Sequence, residues 1–348
     1  MSVAIFHFEI FKNCVRYGNA IRSVFFIWRS IFLKRSNYIN GTIMKSDKNS
    51  SAYSNLDLTG WSPQRELTDR ATRNGPALAT NGVLCMAWRG LDQDNIWVSV
   101  SSDNGRTWSS QKELEDRATR DAPALAVVNG KFVMAWRGLG QDNIWVSTSN
   151  DGLNWSPQKE LEDRATRNNP TLAGVDNLAV MAWRGVGQDN IWVSTSSDGV
   201  SWSPQRELSD RSTRNGPAVT GTSQGPNGKL FAMVWQGSGQ DNLWVSTSED
   251  GINWSSQKEL TDRATKSAPG ITHSDSLGVF YMAWQGLDQD NIWVSSSQDG
   301  INWSPQTELS DRATQIGPIG LTPTSDSLYM AWEGLDQNNI WVSELLID

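Results

Sequence analysis

Most of the chain repeats one pattern of apolar and polar positions. In its second copy, the small-sided segment APALAV (122–127) is followed by the strongly apolar KFVMAWRG (131–138). The segments NIWVSTS (143–149) and NWSPQKEL (154–161) then alternate apolar with polar side chains, which is the period of a half-buried strand. Each copy therefore predicts four short β-strands.

Turn chemistry separates these predicted strands. Asn129-Gly130 favours a tight hairpin between the first and second strands, and Asp151-Gly152 favours another between the third and fourth. The polar segments of the type WRGLGQDN and DRATRNGP are expected as loops. The first type joins the second and third strands, and the second type links one copy to the next.

Tryptophan marks the number of copies. The chain has 19 tryptophans, and all except Trp28 fall into three sets of six. The MAW set recurs every 47 to 52 residues and comprises Trp88, Trp136, Trp183, Trp235, Trp284 and Trp332. The NIWVS set comprises Trp97, Trp145, Trp192, Trp244, Trp293 and Trp341. The WSPQREL-like set comprises Trp61, Trp108, Trp155, Trp202, Trp254 and Trp303. Four-stranded units of this length, repeated radially, are typical of a β-propeller.

The two ends of the repeat region complement each other. The last copy stops after its third strand, at 338–346, and the first copy begins with an unpaired fourth strand, at 61–67. The N-terminal strand can therefore complete the last blade and remove a free sheet edge. We predict an all-β, six-bladed β-propeller with four-stranded blades over residues 56–348.

The first 43 residues differ from the repeats. Residues 1–43 hold six basic residues and one acid, a net charge of +5, so the rest of the chain carries −13. Their longest uninterrupted apolar run, 24–28, is too short to span a bilayer, and no clean signal peptide is visible. Contact with a membrane is expected only through this leader, and the sequence leaves a cytoplasmic location and export by another route both open. Alternatively, translation begins at Met44 and the leader is not part of the protein. In both cases residues 44–55 are expected to form a polar linker.

Scarce cysteine and histidine limit the possible chemistry. The only cysteines are Cys14 and Cys85, so a disulfide framework is not expected. The only histidines are His7 and His273, far apart in sequence, so no metal site, cofactor or histidine triad is predicted. An acidic repeat region is also a poor partner for nucleic acid.

One motif resembles a known family. SSDNGRTW, at 101–108, matches the Asp-box of sialidases, and four other copies carry a version shortened by one residue. The resemblance covers about 56–348 and implies a propeller in which this motif joins the third and fourth strands of a blade. We interpret it as a folding device: its aspartate caps turn amides, its glycine permits a positive φ, and its tryptophan packs into the blade.

The same resemblance implies which catalytic groups the chain would need in order to act as a sialidase. The family uses one site on the propeller axis, with three arginines, a Tyr/Glu nucleophile pair, an Asp acid and an RIP-type motif. The chain shows no such motif, and its copies stay near-identical, whereas one catalytic centre needs different groups from different blades. We therefore predict that the protein is not an enzyme and has no catalytic residues.

Near-identical copies favour several equivalent binding sites. Strand parity places both types of polar loop on one face, where arginine, aspartate and tryptophan recur. The predicted site tryptophans are Trp88, Trp136, Trp183, Trp235 and Trp284. The predicted site arginines are Arg73, Arg120, Arg167 and Arg214 between copies, and Arg89, Arg137 and Arg184 after the MAW tryptophan. The predicted site aspartates are Asp94, Asp142, Asp189, Asp241 and Asp290.

An aromatic ring beside arginine and aspartate suits a sugar, which stacks through its C–H face and hydrogen-bonds through its hydroxyls. In this respect the chain is similar to six- and seven-bladed propeller lectins of fungi and bacteria, several of which bind fucose between blades. The resemblance implies a non-catalytic, multivalent lectin with shallow sites at the blade boundaries and glycans or glycoconjugates as partners. The oligomeric state stays open.

Two alternatives stay open. A protein-binding scaffold ranks second, and a sialidase-like glycoside hydrolase ranks third. The repeated residues also have a purely structural interpretation. In that interpretation the MAW tryptophans are core residues between blades, and the aspartate and arginine of DRAT form a structural ion pair in every copy.

Overall fold

The computed structural model describes residues 58–346, which form 24 strands. The innermost strands are β2 (Ala77–Thr80), β6 (Ala124–Val128), β10 (Thr171–Val175), β14 (Ala218–Thr222), β18 (Gly270–Ser274) and β22 (Gly320–Pro323). The second strands are β3 (Leu84–Arg89), β7 (Lys131–Arg137), β11 (Leu178–Arg184), β15 (Leu230–Gln236), β19 (Val279–Gln285) and β23 (Ser327–Glu333). The third strands are β4 (Asn95–Ser101), β8 (Asn143–Ser149), β12 (Asn190–Ser196), β16 (Asn242–Ser248), β20 (Asn291–Ser297) and β24 (Asn339–Leu346). The outer strands are β5 (Lys112–Ala118), β9 (Lys159–Ala165), β13 (Arg206–Ser212), β17 (Lys258–Ala264), β21 (Thr307–Ala313) and β1 (Arg65–Ala71).

These strands form six antiparallel four-stranded sheets, each of which is one blade. Blade I is β2–β5, and blades II to V follow in chain order to β21. Blade VI combines β22, β23 and β24 with β1. The predicted six-bladed propeller is confirmed, while the predicted leader and polar linker lie outside the described residues. Within residues 58–346, no helix is long and apolar enough to cross a bilayer.

The ring closes as predicted but with a shifted strand boundary. Arg65 pairs with Val342 on β24, and an isolated bridge joins Trp61 to Leu345. The outer strand continues to Ala71 through a register shift, so the DRA segment lies in a strand and not in the predicted loop. The same boundary recurs in the other blades, which places the DRAT arginine inside the fold.

The two predicted turns differ. Asn129 and Gly130 have φ values of 49° and 69°, which confirms the tight hairpin. Asp151-Gly152 does not form a two-residue turn, because residues 150–158 separate β8 from β9. Gly152 has a φ of 76°, and a Cβ there would lie 3.0 Å from the sulfur of buried Cys85. The prediction of a second tight hairpin is wrong because the Asp-box loop has to cover the neighbouring blade.

The core lies between neighbouring blades. One hydrophobic cluster joins Ile96, Val98 and Leu114 of blade I to Phe132 and Trp136 of blade II. Side chains alternate along each strand, so each blade buries apolar side chains against the blades on both sides. This packing requires the ring to be closed, because an open end would expose one such face.

A buried arginine also ties each blade to the next. Arg117 on β5 donates to the Ser156 carbonyl at 2.5 Å and to Ser147 Oγ at 3.3 Å, both in blade II, and pairs with Asp116 at 2.6 Å. Gln158 donates back to the Asp116 carbonyl at 2.6 Å. The equivalent arginines all bond a serine carbonyl of the next blade and are Arg70, Arg117, Arg164, Arg211, Arg263 and Arg312. The structural ion pair considered for DRAT is therefore present in every blade.

Candidate functional site

Two faces follow from the antiparallel order of the strands. The linker face carries the linkers between blades and the loops between second and third strands. The hairpin face carries the first-to-second hairpins and the Asp-box loops. The linkers are residues 72–76, 119–123, 166–170, 213–217, 265–269 and 314–319.

A pinned loop recurs on the linker face. Arg137 donates to Asp142 Oδ1 through Nη2 at 2.6 Å and through Nε at 3.1 Å. Its Nη1 donates to Asp121 Oδ2 at 3.1 Å and to the Arg167 carbonyl at 2.9 Å, so one side chain joins its own loop to both adjacent linkers. Arg89 with Asp94 and Arg184 with Asp189 repeat this arrangement. The predicted arginine and aspartate are thus brought together, but they bind each other.

Later blades replace this arginine by glutamine. Gln236 Nε2 donates to Asp241 at 3.0 Å and to the Thr265 carbonyl at 2.7 Å. Gln285 Nε2 donates to Asp290 at 3.1 Å and, similarly, to the carbonyl of the next linker. We name these five side chains, Arg89, Arg137, Arg184, Gln236 and Gln285, the loop pins.

The predicted site tryptophans do not offer a ring to solvent. Trp136 is 1% exposed and belongs to the core cluster between blades I and II. The same 1% exposure holds for Trp88, Trp183, Trp235 and Trp284. Their role as sugar-stacking platforms is therefore corrected: the second strand is buried on both faces, and these indoles fill the space between blades.

The linker arginines behave differently from the loop pins. Arg73, Arg120, Arg167 and Arg214 are all exposed. Within the described residues, Arg120, Arg167 and Arg214 form no ion pair, whereas Arg73 lies 3.9 Å from Asp92. Blade V carries Lys266 at this position, paired with Asp288 at 2.6 Å. Among the described residues of the linker face, Arg120, Arg167 and Arg214 therefore have guanidinium groups without an ion-pair partner.

A shallow pocket of about 210 Å³ lies near one of these arginines, because its lining includes Asp92, which is 3.9 Å from Arg73. It sits between Ala71 of blade VI and the 90–93 loop of blade I, with Trp88 and the half-buried Trp97 in its lining. The close approach of the Trp97 indole requires glycine at position 90, because a Cβ on Gly90 would lie 2.7 Å from Trp97 Nε1. The pocket lies at a blade boundary, where the sequence predicted a site, but none of the linker residues 72–76 is part of its lining.

The NIWVS tryptophans were not among the predicted site residues, yet Trp97 lines this pocket. In that segment Ile96 and Val98 are fully buried, whereas Trp97 between them is partly exposed. Strand alternation predicts this difference in exposure, because it points the tryptophan to the face of the sheet opposite to that of the two aliphatic side chains. The equivalent half-buried residues are Trp97, Trp145, Trp192, Trp244, Trp293 and Trp341.

A second cavity, of about 520 Å³, runs along the axis between the innermost strands. The strands approach closely there, since a Cβ on Gly174 would lie 1.8 Å from the Val127 carbonyl oxygen. Its lining contains two ionisable residues, His273 and Asp275, which are 2.8 Å apart. Burial lowers the pKa of His273, and Asp275 also accepts a hydrogen bond from Thr222 at 2.6 Å.

The Asp-box loops on the hairpin face are internally satisfied. Asp103 accepts from the Thr107 hydroxyl at 2.5 Å and from its amide at 2.8 Å, which lowers the pKa of Asp103 to about 2. In the shorter version, Asp151 accepts from the amides of Asn154 and Leu153, and the pKa of Asp151 is likewise lowered to about 2. Both carboxylates are used to hold the turn. Within residues 58–346, no group of three or more His, Cys, Asp or Glu side chains is placed to hold a metal ion.

Comparison with known proteins gives similarity of structure only. No protein-family model and no curated protein matches the sequence. An α-L-arabinanase of Penicillium chrysogenum complexed with arabinobiose is 17% identical, with a TM-score of 0.59 over 83% of this chain and 97% of that chain. The endosialidase of phage phi92 is 11% identical, with a TM-score of 0.59 over 83% and 70%. The Aleuria aurantia lectin, in complex with Fucα1-6GlcNAc, is 11% identical, with a TM-score of 0.56 over 80% and 96%.

These comparisons show the fold that the resemblance implied and correct one prediction. The similar structures include a lectin, but most of those compared are glycoside hydrolases: the arabinanase, the endosialidase and several sialidases. This contradicts the prediction that the protein is not an enzyme. Absence of sialidase motifs is not a sufficient reason to exclude hydrolysis, because the similar structures include an arabinanase as well as sialidases.

Proposed function

We propose that the protein binds carbohydrate at repeated shallow sites on the linker face, as a multivalent lectin does. The observation that carries the proposal is the pocket of about 210 Å³ between the half-buried Trp97 and Ala71, at the end of the strand that leads into the linker bearing Arg73. Ligand pockets for drug-sized molecules are usually larger, at about 300–1,000 Å³. A pocket of this size suits one sugar ring.

The chemistry of the pocket fits a sugar. An indole presents an apolar surface to the C–H groups of a pyranose or furanose ring. Asp92 and Gln93 in the pocket lining supply acceptors and a donor for hydroxyl groups. Arg73, which is 3.9 Å from Asp92 of that lining, would add charged donors, which make the stronger kind of hydrogen bond.

The loop pins have a positioning role in this proposal. Arg137 and its equivalents hold the loop against two linkers, so they fix the distance between the linker arginine and the half-buried tryptophan. They do not themselves bind the sugar. The proposed sugar-binding groups are instead the linker arginines Arg73, Arg120, Arg167 and Arg214, together with the NIWVS tryptophans.

The blades differ in how complete the proposed site is. Blades I to IV each follow a linker arginine, blade V follows Lys266, and blade VI follows Gln315. We therefore expect four strong sites and two weaker ones. Several weak sites on one rigid face bind a glycan-coated surface far more tightly than one site does, because binding at the first site raises the effective concentration at the others.

A glycan array probed with the full chain tests the proposal. Fucosylated, sialylated and arabinose-containing glycans are the first probes, since the similar structures are named for such ligands. The proposal requires saturable binding to at least one glycan class and competition by the free monosaccharide. Absence of binding at every density of immobilised glycan would reject it.

Glycoside hydrolysis in the axial cavity is the second candidate. It is favoured by the hydrolases of the same fold and by Asp275, whose carboxylate lines that cavity beside His273. Release of sugar from sialosides or arabinan that is lost in Asp275→Asn, while binding to immobilised glycan persists, would support it. Equal release by the parent and Asp275→Asn would exclude this carboxylate as the catalytic group.

A further inference from the structure

The hairpin face has a separate pocket where blade VI meets blade I. It measures about 270 Å³ and is lined by Arg65, Arg106, Tyr329 and Glu344, with small residues between them. Three of these side chains belong to blade VI, and Arg106 comes from the Asp-box loop of blade I. The pocket is thus formed by the strand that closes the ring and by the one complete Asp-box.

Strand register places the blade VI groups on one side of the sheet. Tyr329 pairs with Glu344, and Arg65 pairs with Val342, two residues before Glu344. Residues directly opposite or two apart on adjacent strands point to the same face. Arg65 and Glu344 are therefore diagonal neighbours facing blade I.

Hydrogen bonds fix the floor of the pocket. Tyr329 donates its hydroxyl to the Gly105 carbonyl at 3.1 Å and accepts from Trp108 Nε1 at 3.4 Å. Arg65 Nη2 donates to the same Gly105 carbonyl at 2.5 Å. Only glycine fits there, because a Cβ on Gly105 would lie 2.2 Å from the Tyr329 ring. Burial raises the pKa of Tyr329 to about 12, so the phenol stays neutral.

Among the described residues, the charged side chains that line the pocket form no ion pair with each other. Glu344 Oε2 is buried and has no hydrogen-bond partner within the described residues. Arg65 forms no ion pair with any described carboxylate, and Arg106, which is 59% exposed, is 3.6 Å from Asp326. Burying a carboxylate oxygen without a donor costs free energy, so folding alone does not favour a glutamate at this position.

Comparison of the blades shows that this arrangement occurs at one boundary only. The residues equivalent to Glu344 are uncharged and are Val100, Thr148, Thr195, Thr247 and Ser296. The residues equivalent to Arg65 are Lys112, Lys159, Arg206, Lys258 and Thr307. Folding of a blade therefore does not require a carboxylate at this position. A single charged pocket on a chain of near-identical repeats points to a function that the other boundaries lack.

We infer that this pocket binds a small zwitterion with the carboxylate and ammonium groups of an α-amino acid. Arg65 and Arg106 would receive the carboxylate, for which guanidinium groups have matching donors. Glu344 would accept from the ammonium group. A ligand with both charges can meet the guanidinium groups and the carboxylate together, whereas a simple anion or cation meets only one of them.

Calorimetric titration of the full chain with L-alanine and L-leucine tests the inference. L-Lactate, which has a hydroxyl in place of the ammonium, and L-alaninamide, which lacks the carboxylate, are the matched ligands. We expect a Kd for the better amino acid that is lower by at least about tenfold than the Kd for either analogue. No heat of binding with any ligand, or equal affinity for L-alanine and L-lactate, would overturn the inference.

Variants taken from other blades separate binding from folding. Glu344→Thr and Arg65→Thr introduce the residues of blades II and V, so both variants should fold with a Tm close to that of the parent. Each should weaken amino-acid binding by at least about tenfold, whereas Arg206→Thr, at the equivalent position of blade III, should not. Unchanged binding in folded Glu344→Thr would exclude the pocket. Loss of the linker arginines on the opposite face should leave amino-acid binding intact, so this test does not depend on the proposed sugar sites.

Discussion

Arg137 and Asp142 are bound to each other at 2.6 Å, while Arg120, in the preceding linker, is exposed and unpaired among the described residues. Arginines of the linker face therefore fall into two groups. The arginines among the loop pins donate to groups inside the protein, whereas the linker arginines Arg120, Arg167 and Arg214 keep their donors for solvent or a ligand. The two groups should respond oppositely in measurements of stability and of binding.

Replacing Arg137 by Ala should lower the free energy of unfolding by about 1–3 kcal/mol, because the Asp121 and Asp142 carboxylates and a linker carbonyl lose their donors. Urea unfolding monitored by circular dichroism measures this change. Arg120→Ala is the matched control and should change the unfolding free energy by less than about 0.5 kcal/mol. Equal destabilisation by both variants would show that the two arginines do not differ as described.

Deleting residues 56–68 should open blade VI, because it removes Trp61 and half of the strand that pairs with β24. The exposed edge should lower the Tm and promote self-association. Calorimetry and size-exclusion chromatography measure these effects, with deletion of the predicted linker 44–55 as the control. A monomer with an unchanged Tm would contradict closure by the N-terminal strand.

Glu333 should make stability depend on pH near neutrality. It occupies the loop-pin position of blade VI, is 2% exposed, and has an oxygen without a described hydrogen-bond partner. Burial raises the pKa of Glu333 to about 7, against the opposing effect of Arg73, from an unfolded value of about 4.5. The folded state thus favours the protonated acid. The contribution of Glu333 to the free energy of unfolding is therefore fully present below about pH 4.5 and is lost as the pH rises through 7.

Glu333→Gln tests this dependence, because Gln236 and Gln285 already fill the same position in blades IV and V. The variant should be more stable than the parent at pH 8, by up to about 3 kcal/mol, and the difference should shrink towards pH 5. Gln285→Glu should place an ionisable acid at the same position of blade V, so this variant should be less stable than the parent at pH 8 and the difference should shrink towards pH 5. A constant difference between parent and Glu333→Gln from pH 5 to 8 would refute the raised pKa.

Asp151→Asn should lower stability without weakening glycan binding, because Asp151 holds its turn on the face opposite the proposed sugar sites. The pKa of Asp151 is lowered to about 2, so its contribution is present above about pH 4 and is lost as pH falls through 2. The Tm difference from the parent should therefore narrow in acid. Loss of glycan binding by folded Asp151→Asn would indicate that glycan binds on the hairpin face and not on the linker face.

The sequence predicts the fold well because each level of the pattern agrees. Strand alternation, turn residues, the tryptophan sets and the complementary ends all indicate the same closed ring, and the structure has it. Strand ends were less predictable. The DRA segment looks like a loop because it is polar, but Arg70 is buried against blade I, where a serine carbonyl of that blade satisfies it.

The candidate site is less predictable for a physical reason. Sequence shows which residues recur but not which of them bind each other. Arg137 and Arg120 look alike in sequence, and only the distance to Asp142 distinguishes them. Trp136 and Trp145 also recur equally, yet the first is buried between blades and the second is partly exposed.

The linker arginines are the proposed glycan-binding groups of the linker face. The most direct measurement compares the parent with Arg120→Ala/Arg167→Ala/Arg214→Ala on the same glycan array, with Lys159→Ala/Arg206→Ala/Lys258→Ala as a control of equal charge change on the outer strands. We predict that the linker variant loses at least about tenfold in binding with an unchanged Tm, because several sites each lose a charged hydrogen bond, and that the control binds like the parent. Full binding by the linker variant, or equal loss by the control, would contradict the account.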